Sequence, residues 1–141
     1  MKRTILISNR DDREIDSLSV FFRRMGYRVE SAKRLVDVLN KVRSTNIHVL
    51  LLDDEIEDVK ACDLIPLVKK TNPWLQVIMI SSDESIDWVR RLRGAGIFYQ
   101  AMKPVDMEEI KSAVACALEK IERENLRERF FSFYIPEILF A

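Results

Sequence analysis

The aliphatic run Val49 to Leu52 stops on three carboxylates, Asp53, Asp54 and Glu55. Crowded like charges are costly to take out of water. The expectation is therefore an exposed strand end, with the acids lining a cleft. A hydroxyl (Ser81) and an ammonium (Lys103) likewise close apolar runs further along the chain. A carboxylate set beside an ammonium, a hydroxyl and a divalent ion can accept a phosphoryl group, because the cations offset charge on the phosphoryl oxygens. Lys103-Pro104 adds a rigid turn and a candidate cis peptide bond.

Other chemistries lack their parts. The chain has three glycines, Gly26, Gly94 and Gly96, so no glycine-rich loop can cradle a nucleotide's phosphates. The single histidine, His48, precedes a strand at the end away from the acids and reads as structural or solvated. Ser81 lies outside any nucleophile-elbow pattern and has no histidine to activate it, which argues against a hydrolase.

The elements that must position these groups alternate. Short apolar runs at Thr4–Ser8, Tyr27–Val29, Val49–Leu52, Val77–Ile80 and Ile97–Ala101 read as buried strands. Helical stripes lie between and after them: Ile15, Leu18, Phe22 and Met25, capped by Gly26; Leu35, Val38, Leu39 and Val42; Leu64, Leu67 and Val68, with Pro66 placed in a first turn. Ile86, Val89 and Leu92 follow, ending near Gly94, and Met107, Ile110, Val114, Ala117 and Ile121 make the longest stripe. Five βα units imply an α/β fold, a doubly wound five-stranded parallel sheet. With strand order 2-1-3-4-5, the order reverses between the first and third strands. Residues 8–12 and 53–55 then meet at one cleft.

Length and composition suit this reading. The chain of 141 residues, 48% hydrophobic and 33% charged, is most simply one folded domain. Lys plus Arg and Asp plus Glu each total 23, so charge suggests neither nucleic acid nor a membrane surface. Cys62 and Cys116 have no metal-like spacing and read as buried free thiols, which suits a reducing cytoplasm. No signal peptide is expected, since Lys2 and Arg3 precede only the short run Ile5–Ile7. No apolar run is long enough to cross a bilayer.

Four segments, "TILISNRDD", "HVLLLDDE", "VIMISS" and "AMKP", resemble in order the signature segments of response-regulator receiver domains, the CheY-like family with a flavodoxin-like fold. The resemblance covers about residues 3–123. It implies Asp53 as phospho-acceptor, Ser81 and Lys103 as phosphoryl-contacting residues, and a histidine kinase or phosphotransfer protein as partner. The chain would then be a signal-relay module and not an enzyme. A receiver unit over 1–123 would be followed by an extension over 124–141.

The departures from the family are specific. Its acid pair after the first strand, which holds Mg2+ with the acceptor, falls on Asn9 and Arg10. A one-residue slip would put Asp11 there, leaving Asp11, Asp53 and Glu55 as a weakened metal set. Mg2+ binding is accordingly expected to be weakened or lost. The usual proline and glycine after the acceptor are replaced by Glu57 and Ala61, and the aromatic switch position falls on Gln100, with Tyr99 beside it. Simpler readings compete: Asp54, Glu55, Glu57 and Asp58 as a solvated loop, Asp11 and Asp12 as helix caps, and Lys103 as a structural ion pair to Asp53. Two functions follow. One is a phosphoryl-accepting receiver with an impaired metal site; the alternative is a pseudo-receiver that binds proteins regardless of phosphate.

The tail bears on partners. "EKIERENLRER" (119–129) reads as a solvated prolongation of the last helix. The apolar "FFSFYIPEILFA" (130–141) reads as an interface or the lead into an output domain that this segment lacks. Ile121, Leu126 and Phe130 suggest an apolar line for a homodimer.

Overall fold

The computed structural model describes residues 2–134, with side chains through Phe130. Its elements run β1 (Thr4–Ser8), α1 (Asp12–Arg24), β2 (Arg28–Ser31), α2 (Leu35–Ser44), β3 (Val49–Asp53), β4 (Glu55–Ile56), β5 (Val59–Lys60), α3 (Ala61–Thr71), β6 (Gln76–Ser81), α4 (Ile86–Ala95), β7 (Tyr99–Met102) and α5 (Met107–Tyr134). The parallel sheet has the order β2-β1-β3-β6-β7, and β4-β5 is a separate two-stranded hairpin. Counting the long strands alone, this is the expected order 2-1-3-4-5.

The strands are apolar throughout because helices cover both faces. Ile5, Ile7, Leu51 and Ile80 pack with Leu18 and Phe22 of α1 and with Ile110 and Val114 of α5. Their neighbours Leu6, Leu50, Leu52 and Met79 pack the other way, against Val38 of α2, Leu64 of α3 and Leu92 of α4. Register then aligns the strands' carboxyl ends: Ser8 pairs with Leu52, Asp53 with Ile80, and Ser81 with Met102.

Several local expectations need correction. β2 begins at Arg28, because Tyr27 N–H bonds to Phe22 O in the helix cap and its ring packs edge-on against Phe22. β7 likewise begins at Tyr99, since Ile97 N–H closes the end of α4 on Leu92 O. That helix passes through Gly94 and stops at Gly96, whose φ of 98° is open to glycine at no steric penalty. Pro66 lies inside α3 and not in its first turn. The loop after Asp53 folds into the β4–β5 hairpin, and Ala61 starts the helix at once with its N–H on Asp54 O. Cys62 is only partly buried and Cys116 is exposed on the outer side of α5, so neither is a core thiol.

α5 runs unbroken across the expected boundary at 123. Ile121 is buried in the domain, at 3% exposure, whereas Leu126 is 64% and Phe130 53% exposed. The three therefore do not form one line, because five residues of helix turn Leu126 well away from Ile121's direction. Residues 135–141, with Pro136 and most of the apolar tail, lie outside the described residues.

Candidate functional site

Asp53 closes β3 and is 2% exposed. The expectation of an exposed acid is wrong for this residue, which is buried because its charge is matched. Lys103 Nζ donates to its Oδ1 at 3.0 Å, and Arg10 Nε to its Oδ2 at 3.1 Å. Backbone N–H groups of Asp54 and Arg10 add bonds at 2.8 and 3.3 Å. Burial alone would raise the Asp53 pKa, but the bonds from Lys103 and Arg10 and the Asp54 N–H outweigh it, and the carboxyl is held below its ordinary range. The Asp53 bond, with the carboxylate's attraction, in turn raises Arg10 above an already high value.

The fold sets this geometry in steps. Sheet register places the ends of β1, β3 and β6 side by side. Lys103 follows β7 directly, and its N–H bonds to Ser81 O at 2.8 Å. The cis Lys103-Pro104 bond turns the chain there. Arg10 leaves β1 just before α1, whose N-cap is Asp11, accepting from Arg13 N–H. The ungapped register thus puts Arg10, not Asp11, on Asp53.

Asp54 is not the solvated loop acid its neighbours suggest. Its Oδ1 accepts from Ser81 Oγ at 2.5 Å and from Trp88 Nε1 at 2.8 Å. Its Oδ2 accepts from Ser82 N at 2.9 Å and Ser82 Oγ at 3.3 Å. Ser81 is therefore beside the Asp53 site but engaged by the adjacent acid. Glu57 is also occupied, since its carboxylate accepts from Leu35 N–H at the start of α2.

These residues do not fit a divalent cation in this arrangement. Both Asp53 oxygens face protein cations, Asp11 is a helix cap, and half-buried Glu55 sits on β4. Among the described residues, no three His, Cys, Asp or Glu side chains gather as a metal set.

One acid went unread in the sequence. Glu14, on α1, has a buried Oε1 without a partner among the described residues. Burial raises its pKa; the Lys103 cation opposes this, while the charges of Asp53 and Asp11 add to it. Asn9 itself is buried, its Oδ1 accepting from Asp11 N–H. Spacing concealed Glu14, because Asp11-x-x-Glu14 reads as an ordinary capping box.

Where the family resemblance implies a switch residue, Gln100 Nε2 donates to Asp83 O at 3.3 Å, while Tyr99 donates from its hydroxyl to Glu109 on α5. His48 is structural. It is buried, and its Nδ1 accepts from Thr4 N–H.

Comparisons with known proteins bear on the family and the fold. The sequence model described as "Response regulator receiver domain" matches residues 5–115. The DNA-binding transcriptional regulator NtrC of Azospirillum brasilense is 29% identical over 82% of this chain and 24% of that protein. The chain thus spans about a quarter of the length of such curated relatives. Sporulation initiation phosphotransferase F of Bacillus subtilis is 24% identical over 69% of this chain and 78% of its own length. Among solved structures, a CheY-like receiver domain protein from Methanospirillum hungatei JF-1 superposes with a TM-score of 0.83, at 25% identity, covering 88% of this chain and 99% of that one. Matched across most of its length and built on the same five-stranded parallel sheet, the chain belongs to the response regulator receiver domain family.

Proposed function

We propose that this receiver domain accepts a phosphoryl group on Asp53, from a phosphohistidine of a kinase or phosphotransfer partner. The observation that carries this reading is the Asp53 carboxylate held ionised between Lys103 and Arg10. An ionised carboxylate is the nucleophile that the reaction needs. One of its oxygens attacks phosphorus, the donor's P–N bond breaks, and the freed imidazole leaves. Lys103 and the Arg10 guanidinium are placed to offset charge on the phosphoryl oxygens.

Arg10 also has a cost. A fixed cation supplies charge but lacks the coordination geometry that draws donor and nucleophile together. Labelling is expected to be slow and to gain little from Mg2+. The test is intact mass after incubation with a small-molecule phosphodonor: one phosphoryl on wild type and none on Asp53→Ala supports the reading. Equal labelling of both contradicts it.

On the partner side, we infer self-association through the exposed side of α5 that carries Leu126. No helix among the described residues is long and apolar enough to cross a membrane.

A further inference from the structure

Ser81 has one hydroxyl proton, and it is committed. Two acceptors lie within its reach, Asp54 Oδ1 at 2.5 Å and Asp83 O at 3.3 Å, and the shorter, charge-assisted bond to Asp54 takes it. That same oxygen also accepts from the indole Nε1 of Trp88, a residue of α4 that is 7% exposed. Asp54 is in no ion pair among the described residues, so these donors, with those from Ser82, offset its charge at hydrogen-bond distance, and the Arg10 cation adds a weaker attraction from further away.

We propose that Asp54 is a positioning residue that holds the Ser81 hydroxyl until Asp53 is phosphorylated and passes its release to α4 through Trp88. The proposal rests on the reading of Asp53 as phosphoryl acceptor. A phosphoryl group on Asp53 presents strong acceptor oxygens close to Ser81, which lies just past Ile80, the register partner of Asp53. One proton cannot serve both acceptors. As the hydroxyl turns toward the phosphoryl group, Oδ1 of Asp54 loses one of its two donors. Its charge then falls more heavily on the indole N–H, and that bond tightens.

The segment leading into α4 is tied to the same hydroxyl. Asp83 N–H donates to Ser81 Oγ at 3.2 Å, and Ser85 caps α4 by accepting from Trp88 N–H. Gln100 reaches this segment too, through Asp83 O, so α4 can respond without a ring at the switch position.

The test follows the two tryptophan indole N–H resonances of the 15N-labelled full chain, with Trp74→Phe to assign Trp88. In unmodified protein, Ser81→Ala should move the Trp88 resonance downfield, and Ser81→Thr, which keeps a hydroxyl, should leave it near wild type. After acetyl phosphate treatment, protein shown by intact mass to carry the phosphoryl group should show the same downfield shift. Asp54→Asn, a weaker acceptor, should label on the order of threefold faster because Ser81 is easier to free. An unmoved Trp88 resonance in Ser81→Ala, or in mass-confirmed phosphoprotein, overturns the proposal. Absence of any mass gain overturns the acceptor reading instead, and with it the phosphate-driven half of the proposal; the Ser81→Ala shift still decides the link from Ser81 to Trp88.

Discussion

Arg10 and Asp53 are joined twice: the backbone N–H of Arg10 and its side-chain Nε both donate to the same carboxylate oxygen, Oδ2, at 3.3 and 3.1 Å. The chain position and the side chain of one residue thus converge on one acid. Lys103 takes the other oxygen. This two-sided pairing is why a carboxylate can end a buried strand.

Removing that carboxylate should expose what it balances. Asp53→Asn leaves two neighbouring cations unmatched. Since Arg10 is half exposed and Lys103 a quarter exposed, the loss should be about 1–2 kcal/mol, below that for a fully buried pair. Urea unfolding measures it. Folding lowers the Asp53 pKa, so its contribution is present above the ordinary value of 3.8 and lost as pH falls through the folded value. The gap between wild type and Asp53→Asn should hold from neutral pH to about 5 and close below 3.8. A gap that widens in acid would contradict the pairing.

Glu14 should behave oppositely. Its pKa is raised on folding, so the ionised form is penalised above its ordinary 4.5. Glu14→Gln should stabilise the domain at pH 7 by roughly 1 kcal/mol, a Tm rise of roughly 2–4 °C. That benefit should shrink as the pH falls toward 4.5, because the folded carboxyl, its pKa raised by burial, takes up its proton above that value. Thermal melts at the two pH values check it. Destabilisation at pH 7 would mean that the carboxylate is better satisfied than its burial implies.

The hairpin turn carries strain at two non-glycine residues, Glu57 at φ 46° and Asp58 at φ 65°. Asp58→Gly should stabilise by about 0.5 kcal/mol, the relieved left-handed backbone partly offset by glycine's greater freedom when unfolded. Glu57→Gly should show no such gain, because it gives up the bond to Leu35 N–H. Chemical denaturation of both variants separates the two effects. Equal gains would contradict it.

Exposed Leu126 (64%) should contribute to self-association. Sedimentation of wild type should show concentration-dependent dimer, and Leu126→Lys should reduce it. Monomer alone in both would overturn the self-association, and equal dimer in both would remove Leu126 from the interface.

Much of this was legible in the chain itself. Apolar runs without alternation marked strands covered on both faces, and Asp53, Ser81 and Lys103 could be placed because each follows such a run. What remained hidden depends on donors converging from distant segments. Asp54 reads as one of several loop acids until Ser81, Ser82 and Trp88 close around it. Asp53 reads as exposed until Arg10 and Lys103 neutralise it. Pro66 moved into a helix interior because a hairpin too short to show a period lets α3 begin early. Glu14 was masked by its resemblance to a helix-capping acid.

On the proposed function, Asp53 accepts the phosphoryl group while Arg10 occupies the role a divalent ion would otherwise take. The most direct measurement is the acyl-phosphate fraction by intact mass, mapped to Asp53, for wild type and Arg10→Asp across an Mg2+ titration. Wild type should label slowly and nearly independently of Mg2+. Arg10→Asp should label faster and only with Mg2+, and Asp53→Ala should not label under any condition. Efficient labelling of wild type that requires Mg2+ would contradict that role and leave Arg10 a bystander.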